Sequence, residues 1–383
     1  MLKLEARGDA SVFWRYASPL VALAITLALS ALLFVALGKD PVRGLQIFLI
    51  EPFNGPRALT ELALKSTALA LCALGLALCF RSNVWNIGAE GQFLAGGMAA
   101  GGLAMWLTME KISISNWAFF PLATLAGAFG GAVWASITAV LKDRFNASEI
   151  LVSLMLVYVA NLLLSYLVFG PWKDPQGFNF PQTVNFDAAI PKIISGFRMH
   201  WGTAVALAVA VLMWVFMSRT FKGYQLQVSG QAAAASRYAG FSARSTLWTC
   251  LLTSGALAGV AGAYEVTGPM GQLTPYVSVG YGFTAIIVAF VGRLHPVGCV
   301  VASVLLSMFL IGGQLAQSRI GLPAALTGLF QGILLFSLLA CDTLINYRIR
   351  LRSFRGAPRA HLSSVSHPSA PSAVPAALPT AAP

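Results

Sequence analysis

Ten long apolar runs constrain this chain more than any other feature of its sequence. A transmembrane helix needs about 20 predominantly apolar residues, and the runs are continuous rather than alternating, which argues against a membrane β-barrel. Charged residues make up only 10% of the sequence, whereas soluble domains carry about 25%. We therefore predict an all-α polytopic membrane protein with about ten transmembrane helices. The predicted spans are residues 19–38, 62–80, 93–108, 117–141, 149–169, 201–218, 245–266, 281–292, 297–315 and 324–345.

A polar, glycine-rich stretch interrupts these runs directly before the third span, which is itself short and glycine-rich. It holds Asn86, Gly88, Glu90, Gly91 and Gln92. Non-helical backbone at membrane depth is tolerated only where protein or a water-filled cavity satisfies it. An interrupted apolar segment is also the usual sequence pointer to a translocation pathway. We therefore predict a broken or re-entrant segment beside such a pathway.

Typical free energies help to distinguish the possible roles of these polar residues. A buried acid costs about 2.5–3.5 kcal/mol on insertion scales, whereas a carboxylate beside a helix N-terminus gains about 0.3–1 kcal/mol. For Glu90 we therefore favour capping of the helix that follows over contact with a substrate. Asn86 and Gln92 either line the pathway or satisfy the broken backbone.

Other polar residues lie around the later spans. Asn161, in the middle of the fifth span, is a pathway candidate, although an interhelical hydrogen bond explains it equally well. Asn146, three residues before Glu149, predicts the N-cap of that span. Glu265, at the end of the seventh span, either faces a cavity or reaches the membrane interface. Glycines four residues apart in the fourth and seventh spans predict close helix packing.

The distribution of Lys and Arg predicts the orientation of the chain. Its net charge of +12 is spread between the apolar runs, which is not a nucleic-acid-binding pattern. With the N-terminus inside, sixteen cations fall in inner connections and nine, among them Lys65, in outer ones. The excess predicts that both termini are cytoplasmic.

The predicted spans and their orientation divide the chain into regions. Residues 1–18 form a cytoplasmic N-terminus, and residues 19–346 form the membrane domain, with an external loop at 170–200 and a cytoplasmic loop at 219–244. Residues 347–383 are a basic and then Pro/Ala/Ser-rich cytoplasmic tail, which we predict to be disordered from about Gly356 because it offers little apolar surface to bury.

The cytoplasmic loop contains an alanine-rich patch at residues 232–240. Residues 232–238 favour a helix by propensity, and Gly240 is placed to end it. A helix of two turns is marginal alone in water, so it needs a partner surface, either on its own membrane domain or on another protein, of which we favour the second. Arg237 and Tyr238 are residue types favoured at interfaces.

Several sequence features argue against catalysis. The chain contains no G-x-x-x-x-G-K-[ST] phosphate-binding loop, no H-E-x-x-H and no G-x-S-x-G. Its four histidines are scattered, and its five cysteines lie in or at the ends of apolar runs without C-x-x-C spacing. We predict a protein that is not an enzyme, with no catalytic residues, no metal site and no cofactor.

Five motifs, in order, resemble permease subunits of bacterial ABC importers. The motifs are VWNIGAEGQF (84–93), SEILVSLMLVYVAN (148–161), SRYAGFSARS (236–245), SGALAGVAGAYEV (254–266) and GYGFTAIIVAFVGRLHPVG (280–298). More narrowly, they resemble the group that serves branched-chain amino acids, ribose-type sugars and nucleosides. The N-I-G-x-E-G-Q form is similar to the nucleoside and simple-sugar branch.

This resemblance implies a half-channel of the ABC importer permease type that works as a dimer, either with an identical copy or with a second related permease. It also implies an ATPase with two nucleotide-binding domains, which are frequently fused in one chain, and an external substrate-binding lipoprotein. The coupling helix of the family matches Ala232, Ala235, Arg237, Tyr238, Ala239 and Gly240, with Ser236 in place of an alanine and without the usual Asn-Pro opening. The family's re-entrant signature matches the polar stretch around Glu90.

We therefore expect the permease subunit of an importer in the bacterial inner membrane. Its solute would be a nucleoside, a nucleobase or a simple sugar, and ATP would be hydrolysed by partner chains. The alternative is an ATP-independent secondary transporter or channel for a small polar solute, which would need no ATPase partner.

Overall fold

A computed structural model describes residues 2–6 and 12–351 of the 383-residue chain. The α-helices in this part of the chain are α1 (Val12–Ala36), α2 (Pro41–Leu49), α3 (Pro56–Arg81), α4 (Ala89–Met109), α5 (Asn116–Phe145), α6 (Glu149–Phe169), α7 (Gly202–Arg219), α8 (Phe221–Gln231), α9 (Ala233–Tyr238), α10 (Ala243–Glu265), α11 (Tyr281–Val291), α12 (Pro296–Ile320) and α13 (Ala325–Asn346). A 3-10 turn at Glu51–Phe53 and a π-helical turn at Val266–Met270 follow α2 and α10, and two strands are β1 (Leu2–Ala6) and β2 (Tyr347–Leu351).

The predicted all-α membrane architecture is confirmed. Within the described residues, each of the ten predicted runs corresponds to one helix, and eight of these helices are long and apolar enough to cross a membrane. The other two are α4, which is rich in glycine, and α11, which has only 11 residues. We call the end of the bundle that holds residues 219–244 the inner end, and the end that holds residues 170–200 the outer end.

The start of α4 differs from the prediction. The helix begins at Ala89 rather than at residue 93, so Glu90, Gly91 and Gln92 form its first turn. The non-helical break is therefore confined to residues 82–88. The polar residues Glu90 and Gln92 can belong to this buried turn because each has a buried hydrogen-bonding partner, as described below.

The bundle has a central layer and a peripheral one. Of the 18 most apolar consecutive residues in α3, 89% are buried, whereas the corresponding share is 22% in α1 and in α6. Helix α10 packs against α3, α4 and α5. The polar interruption therefore lies in the densest part of the fold rather than at its surface.

Glycines allow α4, α5 and α10 to approach closely, as the spacing of small residues predicted. A Cβ added to Gly131 of α5 would lie 2.1 Å from the carbonyl oxygen of Gly255. A Cβ on Gly96 of α4 would lie 2.2 Å from Cα of Gly259. These backbones touch directly, and helices without a hydrophobic driving force between them associate through such contacts.

The segment from residue 170 to residue 201 folds back over the outer end of the bundle. Thr183 donates its backbone N–H to the carbonyl of Leu273 (3.0 Å), and Phe186 donates to Gly271 (2.8 Å). Near the end of the segment, His200 is buried, its Nδ1 accepts a hydrogen bond from the Gly202 N–H (3.1 Å), and burial lowers its pKa to about 4. The segment is thus tied to the bundle by backbone hydrogen bonds and by a neutral, buried imidazole.

The two strands pair with each other and join the ends of the described chain. They are antiparallel, with Leu4 opposite Ile349. The predicted tail region begins at residue 347, and its first five residues form the strand β2. Tyr347–Leu351 reads YRIRL, an alternation of apolar and charged residues that is typical of a strand. The rest of the predicted tail, from residue 352, lies outside the described residues.

Candidate functional site

The break before α4 is held by two amide side chains. Asn86 and Gln92 exchange a pair of hydrogen bonds: Asn86 Nδ2 donates to Gln92 Oε1 (3.0 Å), and Gln92 Nε2 donates to Asn86 Oδ1 (3.1 Å). Asn86 Oδ1 also accepts from the Gly88 N–H (3.0 Å), and Asn86 Nδ2 donates to the Ser254 hydroxyl of α10 (3.1 Å). Of the two alternatives, this geometry favours satisfaction of the broken backbone, because both amides are buried and paired.

The two glycines of the break allow α6 to approach it. A Cβ on Gly88 would lie 2.9 Å from the Cβ of Ser153, and a Cβ on Gly91 would lie 3.1 Å from the Cα of Val157. The Ser153 hydroxyl accepts a hydrogen bond from the backbone N–H of Ile87 (3.1 Å). The sequence motif therefore encodes the packing of α6 against the start of α4.

Glu90 lies in the first turn of α4 and also caps the N-terminus of a second helix, α11. Its Oε2 accepts a hydrogen bond from the backbone N–H of Gly282, in the first turn of α11, over 2.6 Å. Ser278, Gly280 and Phe283 also lie within hydrogen-bonding reach of the carboxylate. The N-termini of α4 and α11 thus meet around one acid, and both helix dipoles favour a negative charge there. The sequence did not place α11 beside Glu90 because the two segments lie 192 residues apart.

Asn161 lies apart from this cluster. It is on an exposed face of α6, where its Nδ2 donates to the carbonyl of Val157 one turn earlier (3.0 Å). Tyr158 and Tyr166 are exposed on the same helix. The structure therefore does not bring Asn161 together with Asn86, Glu90 or Gln92 inside the bundle.

A second polar cluster, at the outer end of α10, was not predicted. Lys65 Nζ lies 3.0 Å from Glu265 Oε1, and both groups hydrogen-bond to the hydroxyl of Tyr281. Lys65 was counted among the outer cations although the predicted span 62–80 contains it, and the structure places it inside α3. Its amine stays in the bundle because Glu265 neutralises it. The signal that could have found the pair was a lysine and a glutamate at the outer ends of two predicted spans.

The inner end presents the small helix α9. Its residues and its flanking residues Ala232, Ala239 and Gly240 are exposed, except for Ser236. Tyr238 is 98% exposed. Gly240 adopts the left-handed conformation with φ of +75°, which confirms the predicted end of the helix.

Hydrogen bonds tie α9 to its neighbouring helices. The hydroxyls of Ser236 and Ser229 lie 2.9 Å apart, and Thr246 of α10 donates to Ser229 (3.3 Å). Arg244 and Trp248 of α10 both contact the carboxylate of Asp143 in α5, at 2.8 and 3.2 Å. A displacement of α9 would therefore be passed on to α10 and α5 together.

The prediction for Asn146 was wrong. This residue ends α5 in the left-handed conformation (φ of 51°), and α6 begins after Ser148. Asparagine tolerates that conformation better than most residues, so the chain uses it to close one helix rather than to cap the next. Glu149 instead pairs with Lys142 (3.0 Å).

Comparison with known proteins gives consistent results. The chain is 32% identical over 360 residues to the glucose ABC transporter permease protein TsgB13 of Haloferax volcanii, covering 91% of this chain and 93% of that protein. It is 31% identical over 325 residues to the guanosine ABC transporter permease protein NupP of Bacillus subtilis, covering 83% and 91%. It is 26% identical over 331 residues to the nucleoside ABC transporter permease protein NupB of Lactococcus lactis, covering 83% and 89%. The family described as branched-chain amino acid transport system, permease component, matches residues 58–339. This match spans well over half of the chain, which therefore belongs to that family of membrane transport subunits.

Proposed function

We propose that this chain is the permease subunit of an ABC importer that carries a nucleoside, a nucleobase or a simple sugar. The names of its relatives support this solute class, since they refer to glucose, guanosine and nucleosides. The chain supplies the membrane pathway, and partner chains hydrolyse ATP.

The observation that carries the proposal is the exposure of α9. A six-residue helix that buries only Ser236 is not stable by itself, yet it is fixed to α8 and α10 by the Ser229 and Ser236 hydroxyls. It is thus a rigid projection without a covering surface in the described chain. The ATPase, with two nucleotide-binding domains in one chain or in two, is the partner that fits it.

We place the inner end in the cytoplasm of a bacterial cell, so that the membrane is the inner membrane and both chain ends are cytoplasmic. The Lys and Arg excess supports this orientation, and the pairing of β1 with β2 supports a common side for the ends. A second permease, identical or related, would complete the pathway, and a substrate-binding lipoprotein would deliver solute at the outer end.

The coupling mechanism follows from the contacts of α9. Closure of the ATPase would push on Arg237 and Tyr238, and α9 would pass the movement to α10 and, through Arg244 and Asp143, to α5. Because α5, α10 and α4 touch through glycine backbones, they would move as one block. ATP binding would in this way shift the equilibrium between inward-open and outward-open states.

The test is ATP-driven uptake by the complete importer in liposomes. Tyr238→Ala and Arg237→Ala should weaken binding of the ATPase and lower uptake at least tenfold while leaving membrane insertion unchanged. Tyr276→Ala is the matched control, because Tyr276 is also a highly exposed tyrosine but lies before α11 at the opposite end of α10, and ATPase binding should be unaffected.

Two outcomes would contradict the proposal. Unchanged ATPase binding and uptake in the Tyr238 and Arg237 variants would exclude α9 as the coupling surface. Accumulation of a solute against its gradient by the purified chain alone, without nucleotide hydrolysis, would instead indicate a secondary transporter. A panel of nucleosides, nucleobases and sugars, tested on the complete importer, identifies the solute.

A further inference from the structure

Two cavities lie at the inner end of α12, and His295 lines both of them. The first, of about 280 Å³, lies between the ends of α3, α7, α8 and α12. The second, of about 590 Å³, lies between α1, α12 and α13. The two differ sharply in chemistry, although they share one residue.

The first cavity is polar and carries a cation. Arg81, at the end of α3, lines it together with the hydroxyl-bearing residues Ser218, Thr220 and Tyr224. No carboxylate is among the described residues that line it. Arg81 is half-buried and forms no ion pair with any residue in the described part of the chain, whereas Arg293, the other half-buried arginine there, pairs with Asp342. The cavity is therefore suited to an anion that comes from outside the chain.

The second cavity is an apolar crevice on the outside of the bundle. Leu20, Leu23, Val301, Leu305, Leu334 and Leu338 line it. Leu20 and Val301 are 69% and 67% exposed, so the crevice opens toward the surface of the bundle that a bilayer would cover. Arg293 stands at its inner end, where its guanidinium contacts Asp342 (2.7 Å) and the Ser18 hydroxyl. The crevice is suited to a hydrocarbon chain.

The position of the polar cavity relative to the membrane also favours a lipid as its ligand. Trp214 of α7 lines it and is partly exposed, and tryptophan is enriched at the depth of the lipid headgroups. Basic pockets between membrane helices near this depth bind anionic headgroups. A water-soluble anion would use the polar cavity alone and would leave the adjoining crevice without a role.

We propose that this pair of cavities binds one anionic phospholipid, with its phosphate at Arg81 and His295 and an acyl chain in the crevice between α1, α12 and α13. The bound lipid would hold α1 and α13, which are peripheral helices, against α12. This inference does not depend on the solute or on the ATPase.

The test is native mass spectrometry of the purified full-length chain with phosphatidylglycerol or phosphatidylcholine. The wild type should retain phosphatidylglycerol with severalfold higher affinity. Arg81→Ala should lower that affinity about fivefold, since one cation near a membrane surface contributes on that scale. Arg144→Ala is the matched control, because Arg144 is an exposed arginine near the inner end of α5 that lines neither cavity, and it should have little effect.

A second pair of variants tests the crevice. Val301→Trp should fill its mouth and lower retention of phosphatidylglycerol, whereas Val211→Trp, on the exposed face of α7, should not. If Arg81→Ala does not fold, His295→Ala tests the same cavity.

Three results would overturn the proposal. The first is equal retention of the two lipids by the wild type. The second is unchanged retention in both the cavity and the crevice variants. The third is competition by glycerophosphoglycerol, which has the same headgroup without acyl chains, as effective as that of the lipid, since this would indicate a site for a soluble anion.

Discussion

The carboxylate of Glu90, in the first turn of α4, accepts a hydrogen bond from the backbone N–H of Gly282, in the first turn of α11. Two helices of the bundle therefore begin at one buried acid. In transporters with broken helices, such N-termini often face an anionic group of the substrate. Here the protein's own side chain occupies that position, which favours a structural role for Glu90.

Glu90→Gln should lower the stability of the chain. The substitution removes the charge that both helix dipoles favour and weakens a charge-assisted hydrogen bond, so we expect a loss of about 1–3 kcal/mol. Thermal unfolding of the purified chain in detergent measures it. Glu110→Gln, at the exposed opposite end of the same helix, is the control and should change stability by less than about 0.5 kcal/mol. An unchanged melting temperature together with an altered solute preference would instead place Glu90 in the pathway.

Gly131→Ala should separate α5 from α10. The new methyl group would lie 2.1 Å from the Gly255 carbonyl oxygen, and because that neighbour is backbone, a helix has to shift. Overpacking of this kind costs about 1–3 kcal/mol, which thermal unfolding detects. Gly332→Ala in α13 meets no atom within 4 Å and should be neutral or stabilising by up to about 1 kcal/mol. Equal effects of the two substitutions would contradict the close packing.

Lys65→Met should be strongly destabilising, because it leaves the carboxylate of Glu265 buried without its cation. Loss of one partner of a buried pair costs about 3–5 kcal/mol. The double variant Lys65→Met/Glu265→Gln should recover most of the loss, since it no longer buries an unpaired charge. A double-mutant cycle of unfolding free energies provides the measurement, and simple additivity of the two single substitutions would show that the groups do not interact.

Stability should decrease at mildly acidic pH through His200. Its pKa in the folded chain is about 4 because the imidazole is buried, whereas an unfolded histidine has a pKa of about 6.5. Below pH 6.5 the unfolded chain therefore binds the proton more readily, and folding loses stability as the pH falls toward 4. Between pH 7 and 5.5 the loss is about 1 kcal/mol.

Melting temperatures of the wild type and of His200→Asn at both pH values test this prediction. Asparagine keeps an acceptor for the Gly202 N–H but cannot titrate, so the variant should show a smaller difference between the two pH values. An equal pH dependence of His200→Asn and the wild type would contradict the prediction.

The sequence was sufficient for the helices because the length of each apolar run carries the signal. It was insufficient where a distant partner decides the outcome. The ion pair between Lys65 and Glu265 was not predicted, because the two residues lie 200 positions apart in the sequence. Glu90 was predicted to cap only the helix that follows it, because no feature of the neighbouring sequence indicates that Gly282 lies beside it.

In the coupling helix α9 and in the predicted pathway, too, local features could be predicted from the sequence and distant contacts could not. The helix around Ala235 and its end at Gly240 follow from local propensity and were predicted, whereas its attachment through Ser229 and Ser236 was not. The sequence does not show which face of α6 carries Asn161, because a single polar residue in the middle of a span can face either the bundle or the outside. Its role in the pathway remains a prediction.

The β1–β2 ribbon also sets the parity of the membrane crossings. Since the paired strands place both ends of the described chain on one face of the bilayer, the number of complete crossings has to be even. Eight long apolar helices and α4 make nine. Helix α11 is too short to cross alone, so the irregular segment before it, residues 271–280, has to descend part of the way and complete the tenth crossing.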